Sequence, residues 1–282
     1  MSTLTMNKAA TRLLIDNKAF LALALLVIVS AALSDNFLTV DNILNVLRQS
    51  SINAIIAMGV TFVILTAGID LSVGAVLALT GAFAGAMTAS GLTPWVGVPG
   101  TVAAGACLGA ISGAFVAFGR IQAFIVTLVA MTILRGAALV FTDGRPISIG
   151  TTPAADLFWQ LGGGYWLGVP IPIYLMFFVF VLCWGVLHHT RFGRHVYAVG
   201  GGEKVARLSG INVARVKISV YAISGACAAL ASVVLTARLG SAQPTAGTGY
   251  ELDAIAAVVI GGTSLMGGRG RIFGTLVGAL VI

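Results

Sequence analysis

The sequence predicts an all-α fold, a polytopic bundle of about nine to ten transmembrane helices whose N-terminus is cytoplasmic. Hydrophobic residues occupy 58% of the 282 positions, charged residues occupy only 9%, and the mean hydropathy is +1.02. Because soluble domains carry about 25% charged residues, this chain has too few polar side chains to cover a water-facing surface. The apolar runs are continuous rather than alternating, which favours helices over a transmembrane barrel.

Nine apolar segments follow one another along the chain, and each is a predicted span or part of one. The first ends before Ser34 and Asp35 without a small-residue cleavage site, which favours a transmembrane helix over a cleaved signal peptide. The last stops at Ile282 in mid-span, and we expect at least one further span to be missing. Residues 1–18 are predicted to be a cytoplasmic N-terminal segment and residues 19–282 a single transmembrane domain. The segments are residues 19–33, 52–67, 71–89, 95–118, 121–141, 169–187, 218–237, 254–265 and 272–282.

The basic residues fix the orientation of the bundle. When the N-terminus is set inside and the spans alternate, twelve of the sixteen lysines and arginines fall on the cytoplasmic side. This asymmetry explains the net charge of +7 better than a nucleic-acid partner does, and none is expected. The twelve are Lys8, Arg12, Lys18, Arg120, Arg191, Arg194, Lys204, Arg207, Arg215, Lys217, Arg269 and Arg271.

Motifs for catalysis and for nucleotide binding are absent from the sequence. His188, His189 and His195 lie together in a basic segment without HExxH spacing, and no G-x-x-x-x-G-K-[ST] loop occurs. The three cysteines lie inside apolar runs without metal-ligand spacing, which indicates packing. We therefore predict no catalytic residue, no metal site and no cofactor in this chain.

A transporter driven by protons or sodium needs ionisable groups within the membrane. No carboxylate falls in the middle of a predicted span, and Asp70 lies between two of them. Arg135 is the one charged residue well inside an apolar segment. Its guanidinium is expected to make a polar contact on the solute path or to form a buried pair, and the alternative is that it snorkels to the outer interface. Polar side chains are expected along the solute path, and the candidates by position are Asn53, Thr61, Thr66 and Thr263.

Residues 188–217 form the longest polar stretch and are predicted to be a cytoplasmic coupling loop. Within it, Gly200–Gly202 predicts a tight turn, residues 203–209 a short helix, and Gly210 a left-handed helix end. The apolar side of this helix, with Val205, Leu208 and Ile211, is expected to be held by its own protein, while the other side meets a partner. A solvated loop is the alternative. The candidate contact residues are Gly202, Glu203, Lys204, Arg207, Ser209 and Gly210.

Three further arginines, Arg48, Arg145 and Arg238, are predicted on or near the outer face. They are candidates for pairing with acidic groups of an external binding protein, and anchoring at the membrane interface is the alternative.

Small residues form two further patterns. Glycine recurs four apart at residues 105, 109 and 113, which permits close approach of helix backbones within the chain or between subunits. Residues 54–79 and 254–279 share six identities at a constant offset of 200, either as an internal repeat or through biased composition. The identities are Ala54/Ala254, Ile55/Ile255, Ala57/Ala257, Leu65/Leu265, Gly68/Gly268 and Gly74/Gly274.

Four long segments carry a resemblance to a known family. AGIDLSVGAVLALTG from Ala67, HHTRFGRHVYAVGG from His188, ARLSGINVARVKI from Ala206 and ARLGSAQPTAGTGYELDAIAAVVIGGTSLMGGRGRIFGTLVGAL from Ala237 stand in this order. They resemble the permease subunits of bacterial ABC sugar importers of the ribose/xylose/galactose class, with the ribose permeases nearest. The likeness runs from about residue 20 to the end of the chain.

The resemblance implies a function. In such importers of the inner membrane, two permease subunits form the pore, two ATPase subunits carry ATP-Mg at the cytoplasmic face, and a periplasmic sugar-binding protein delivers the sugar. It also implies about ten helices and a cytoplasmic loop after the sixth helix that docks on the ATPase, where this chain has residues 200–211. We expect a homodimeric permease that transports a monosaccharide by alternating access, with D-ribose as the first candidate substrate. A self-sufficient channel or secondary transporter for a small polar solute is the alternative.

Overall fold

The computed structural model describes residues 18–119 and 121–282. Lys8, Arg12 and Arg120 of the predicted cytoplasmic set lie outside the described residues, as does nearly all of the predicted N-terminal segment.

The described residues form an all-α bundle with four two-residue strands, which confirms the predicted fold class. The helices are α1 Lys18–Leu33, α2 Val40–Leu65, α3 Val73–Ala89, α4 Pro94–Phe118, α5 Ala123–Phe141, α6 Pro153–Gly163, α7 Ile171–His189, α8 Arg191–Gly201, α9 Glu203–Leu208, α10 Val213–Leu239, α11 Tyr250–Ile260 and α12 Ile272–Val281. The strands are β1 Ile147–Ser148, β2 Tyr165–Trp166, β3 Val169–Pro170 and β4 Ser241–Ala242.

All nine predicted apolar segments lie mainly on helices, and five of these helices are long and apolar enough to cross a membrane. Helix α2 begins at Val40 rather than Ile52, because its first turns carry polar side chains that hide the helical pattern. Helix α6 was not predicted. It is short and amphipathic, begins with Pro153, and is capped by the Thr152 hydroxyl, which accepts a hydrogen bond from the Ala155 amide.

Helices α2 and α10 form the centre of the bundle. Residues from Ala54 to Leu65 on α2 are completely buried, as is most of α10 from Ala228 to Ala237. Helix α5 lies at the periphery, with large apolar side chains such as Ile133 and Val140 exposed. Because a helix that is apolar all round and buried needs neighbours on every side, α2 and α10 fix where the other helices pack.

Glycines bring α4 and α10 into backbone contact. A side chain at Gly109 would meet the Tyr221 carbonyl, and one at Gly113 would meet the Ile218 Cα at 2.9 Å. Gly105 faces the Gly225 carbonyl of α10 in the same way. The four-residue glycine spacing is therefore used within the chain, as small residues at membrane helix contacts commonly are.

The loops separate into two ends of the bundle. At one end, Gly200 of α8 lies against the C-terminus of α2 at Leu65, and Phe20 near the start of α1 packs against Phe273 near the start of α12. At the other end, β1 pairs with β4 and β2 with β3, each antiparallel. We call the end with α8 and α9 the cytoplasmic end, as the positive-inside rule assigns it.

The α4–α10 contact gives a test of the fold. Replacing Gly109 with Ala forces the two backbones apart, so the variant should lose roughly 1–3 kcal/mol of stability and unfold at lower temperature in detergent. Gly100→Ala on the same helix is the matched control, because its Cβ would meet no atom of residues 18–119 or 121–282 within 4 Å. Equal thermal unfolding of the two variants would contradict the contact.

Candidate functional site

The predicted coupling loop contains two helices rather than one. Helix α8 is capped by the Thr190 hydroxyl, which accepts a hydrogen bond from the Gly193 amide at 3.2 Å, and it continues through Gly201. The predicted turn at Gly200–Gly202 is therefore wrong, because only Gly202, in extended conformation, separates α8 from α9. The predicted short helix is confirmed as α9, and Gly210 follows it with a left-handed φ of 82°.

The exposed face of α9 differs from the expected one. Val205 is 68% exposed and Leu208 is 89% exposed, whereas Ala206 is buried. The prediction that Val205 and Leu208 hold α9 to its own protein is wrong, since the small Ala206 faces the bundle in their place. Two apolar side chains are left facing outwards, beside the exposed Lys204 and Ser209.

Glu203 attaches α9 to α10. Its carboxylate accepts a hydrogen bond from Lys217 Nζ at 2.7 Å and one from Arg207 Nη2 at 3.2 Å. The Lys217 hydrogen bond lowers the pKa of Glu203 below its ordinary value against the effect of partial burial, and the Arg207 charge adds to it. The carboxylate is therefore ionised at neutral pH, and the attachment is lost as the pH falls through that lowered pKa. A six-residue helix is unstable alone in water, so this attachment matters.

A cavity of about 790 Å³ lies beside α9 at the cytoplasmic end. Its walls come from α9, the start of α10, the turn between α4 and α5, and the residues just after α2. Its polar lining includes Thr66, Gln122, Glu203, Asn212 and Lys217.

The chain leaves helical conformation at residues 66–72, between α2 and α3, and we call this segment the first break. Ala67 has a left-handed φ of 58°, and Asp70 is only 1% exposed. The Asp70 carboxylate accepts hydrogen bonds from the Ser72 amide at 3.0 Å, the Ser72 hydroxyl at 2.6 Å and the Ser224 hydroxyl of α10 at 2.8 Å. Asp70 thereby holds the first break against α10 and stabilises the N-terminus of α3.

The Ile69 carbonyl in the first break accepts two more hydrogen bonds. They come from the Tyr221 hydroxyl of α10 and the Thr127 hydroxyl of α5, each at 3.2 Å. Sequence reasoning noted that Asp70 lies between spans but missed its partners, because Ser224, Tyr221 and Thr127 are remote in sequence.

A second break, residues 261–271, separates α11 from α12. Thr263 lies in it, 3% exposed, and among the described residues its hydroxyl has no hydrogen-bond partner. Gly270 packs directly against that hydroxyl.

The five candidates for the solute path do not come together. Thr66 lines the cytoplasmic cavity, whereas Asn53 lines a separate cavity of about 370 Å³ together with Arg238. Thr61 is fully buried, and its hydroxyl bonds to that of Thr275 at 2.8 Å, where α2 packs against α12.

Arg135, the fifth candidate, is bound to backbone carbonyls. Its Nη1 donates to the Pro244 carbonyl at 3.0 Å and to the Ala246 carbonyl at 2.7 Å, so it ties α5 to the loop before α11. Glu251 lies close enough to interact electrostatically, but within the described part of the chain Arg135 makes no salt bridge. Arg135 is thus in polar contact with backbone carbonyls of this loop, and its place on a solute path stays a prediction.

The three outer arginines lie in different settings at the end opposite α9. Arg48 is partly buried and donates from Nη2 to Asn45 at 2.7 Å and from Nη1 to the Tyr165 hydroxyl at 3.5 Å. Arg145 is exposed in the loop before β1, and Arg238 is partly buried in the last turn of α10. Arg145 is thus the most accessible of the three.

A bundle of apolar helices with two internal breaks, and with a short helix turned outwards at its polar end, defines the class as a multi-pass membrane protein of the transport type. The chain belongs to the family described as branched-chain amino acid transport system / permease component, which matches residues 42–282. It is therefore a permease component of the inner membrane.

Curated relatives cover nearly all of the chain. The ribose import permease protein RbsC of Haemophilus influenzae is 55% identical over 282 residues, which are 100% of this chain and 87% of that protein. The ribose import permease protein RbsC of Bacillus subtilis is 54% identical over 264 residues, 93% of this chain and 81% of that protein. The D-allose transport system permease protein AlsC of Escherichia coli is 42% identical over 265 residues, 93% and 80%. No solved structure matches the chain.

The Asp70 site gives a second prediction. Ser224→Ala leaves one oxygen of a buried carboxylate without its partner, so the variant should lose roughly 1–3 kcal/mol of stability. Thermal unfolding in detergent measures the loss. Ser90→Ala is the control, because among the described residues the exposed Ser90 hydroxyl bonds only to the Met87 carbonyl of the preceding helix. If Ser224→Ala and Ser90→Ala unfold at the same temperature, the Asp70–Ser224 hydrogen bond does not contribute to stability.

Proposed function

We propose that this chain is the membrane permease subunit of an ATP-driven importer for a monosaccharide, with D-ribose as the first candidate substrate. The observation that carries the proposal is 55% identity over the full chain with a protein named as a ribose import permease. The matching permeases named for D-allose and xylose are 42% and 34% identical, which favours ribose over those sugars.

In this proposal α9 docks on a partner ATPase that carries ATP-Mg. Buried apolar anchors supply most of the affinity of protein interfaces, and Leu208 and Val205 are apolar, exposed and three residues apart on one short helix. Lys204 and Arg207 stand beside them at the rim, while Glu203 holds α9 in place. Arg207 pairs with Glu203 of its own exposed helix, a weak pairing that a partner carboxylate can replace.

The importer has further partners in this proposal. A periplasmic sugar-binding protein delivers the sugar at the outer end, where Arg145 is the most accessible of the three candidate arginines, and a second copy of the chain completes the pore. ATP binding and hydrolysis then alternate the access of the pathway between the two sides.

Uptake in reconstituted vesicles tests the function. Proteoliposomes that contain the permease, its ATPase and a ribose-loaded binding protein should accumulate labelled ribose only with ATP-Mg and only with both partners. Excess D-allose or D-xylose should compete weakly. Uptake by the permease alone, without ATP, would refute the proposal in favour of a channel or secondary transporter.

The docking surface gives a separate prediction. Leu208→Ser removes an exposed apolar anchor and should weaken binding of the ATPase roughly tenfold or more, because loss of a central anchor costs about 2 kcal/mol and about 1.4 kcal/mol is tenfold. Pull-down titration of the permease in detergent measures the affinity. Leu239→Ser, which changes an exposed leucine at the opposite end, should leave it unchanged. Equal affinities for both variants would exclude Leu208 from the interface.

A further inference from the structure

Helix α8 precedes α9 in the chain, and only Gly202 separates the two. Helix α8 is also packed against the membrane-spanning part. Its Phe192 stacks on Phe62 of α2, with ring centroids 6.5 Å apart, and its Val196 and Val199 are buried. A displacement of α9 by a partner therefore reaches the bundle through α8 or through the Glu203–Lys217 attachment to α10.

The C-terminal end of α8 meets both breaks at once. The Gly268 amide of the second break donates to the Leu65 carbonyl, where α2 ends and the first break begins, at 2.9 Å. Gly200 of α8 lies so close to Leu65 and Gly268 that a Cβ there would collide with both backbones, and Gly267 is in the same contact. We call Leu65, Gly200, Gly267 and Gly268 the glycine junction.

The glycine junction also joins the two segments related by the offset of 200. Leu65 and Gly68 correspond to Leu265 and Gly268 at this offset. The hydrogen bond from the Gly268 amide to the Leu65 carbonyl brings the second break into direct contact with the start of the first. Gly267 and Gly268 have left-handed φ values of 81° and 70°, which other residues adopt only with strain. The second break is closed on itself by the Ser264 amide, which donates to the Arg269 carbonyl at 2.8 Å. This hydrogen bond closes residues 264–269 of the second break into a turn.

One side chain ties α8 to the residue that directly follows this turn. The Tyr197 hydroxyl donates to the Gly270 carbonyl at 2.8 Å, just before α12 begins at Ile272. Burial raises the pKa of Tyr197 above its ordinary value, with the Arg271 charge opposing, so the hydroxyl remains a donor at physiological pH. Helix α12 in turn contacts α2 through the Thr61–Thr275 hydroxyl pair.

We propose that Tyr197 is a positioning residue that transmits displacement of α9 to the second break and α12, with the glycine junction as the pivot. The inference rests on the proposed function, because it assumes that a partner ATPase moves α9. Helix α8 contacts the second break at two points: Gly200 packs against Gly268, and the Tyr197 hydroxyl bonds to Gly270. Rotation of α8 about the Gly200–Gly268 contact therefore pulls on Gly270. Loss of the hydroxyl should leave docking intact and weaken the link between ATP hydrolysis and movement of the sugar.

The experiment compares two tyrosine variants in the complete importer, reconstituted with ATPase and ribose-loaded binding protein. Tyr197→Phe removes the hydroxyl that bonds to Gly270. Tyr174→Phe is the matched control, because its hydroxyl donates to the Trp166 carbonyl at 3.1 Å at the opposite end. Assembly of the complex, ATP hydrolysis and ribose taken up per ATP are measured for each.

Tyr197→Phe should assemble normally and hydrolyse ATP, while ribose uptake per ATP falls roughly 2- to 30-fold, the range for mutations that alter coupling between sites. Tyr174→Phe should keep the wild-type ratio. An unchanged ratio in Tyr197→Phe would overturn the inference. So would failure of Tyr197→Phe to assemble while Tyr174→Phe assembles, since that would show a structural role.

A distance measurement gives a second readout that does not depend on uptake. Spin labels at Arg194→Cys on α8 and Met266→Cys in the second break, both exposed sites, report their separation in a background with Cys107 replaced by Ser. If Tyr197 transmits movement, the two labels should keep a nearly fixed separation through the ATP cycle in the unaltered importer. In the Tyr197→Phe importer, which lacks the hydrogen bond to Gly270, their separation should change during the cycle. Identical distances in both importers would count against the role of Tyr197, whereas failure of the unaltered importer to use ATP at all would instead defeat the proposed function.

Discussion

Backbone groups that leave helical hydrogen bonding inside an apolar bundle must find partners in the protein, and this requirement shapes the structure around the two breaks. The Ile69 carbonyl is satisfied by Tyr221 and Thr127, and the Leu65 carbonyl by the Gly268 amide. Each partner comes from a different element, so the breaks are also where the helices are held together. Polar residues are scarce in this chain, and several of them are used at these two places.

Close backbone contact is the second means of holding the bundle together. Apolar side chains give little specificity between membrane helices, whereas a glycine against a carbonyl fixes both the distance and the register. Glycines pack against backbone carbonyls at the α4–α10 contact within the membrane-spanning part and at the glycine junction at the cytoplasmic end. Glycine-to-carbonyl contact thus packs two helices together at α4–α10 and joins α2, α8 and the second break at the glycine junction.

Most of the helices could be predicted from sequence, because continuous apolar runs leave little choice of structure in a membrane. The prediction failed where polar residues mask a helix, as at the start of α2, and where glycines were taken for a turn although Gly200 and Gly201 are helical. The face of α9 was wrong because a periodic apolar pattern does not tell which side meets the parent protein. The Asp70 partners could not be found, since contacts between remote segments follow from packing and not from local pattern.

The outward face of α9 has a consequence for the subunit before assembly. Val205 and Leu208 are exposed on a six-residue helix, and the Glu203 carboxylate holds that helix to α10. On a free subunit of the proposed importer these side chains would stay in water, where proteases and chaperones could bind them, and a bound ATPase would cover them. The same two side chains would then distinguish orphan subunits from assembled ones, so that the cell could remove the former without a separate label.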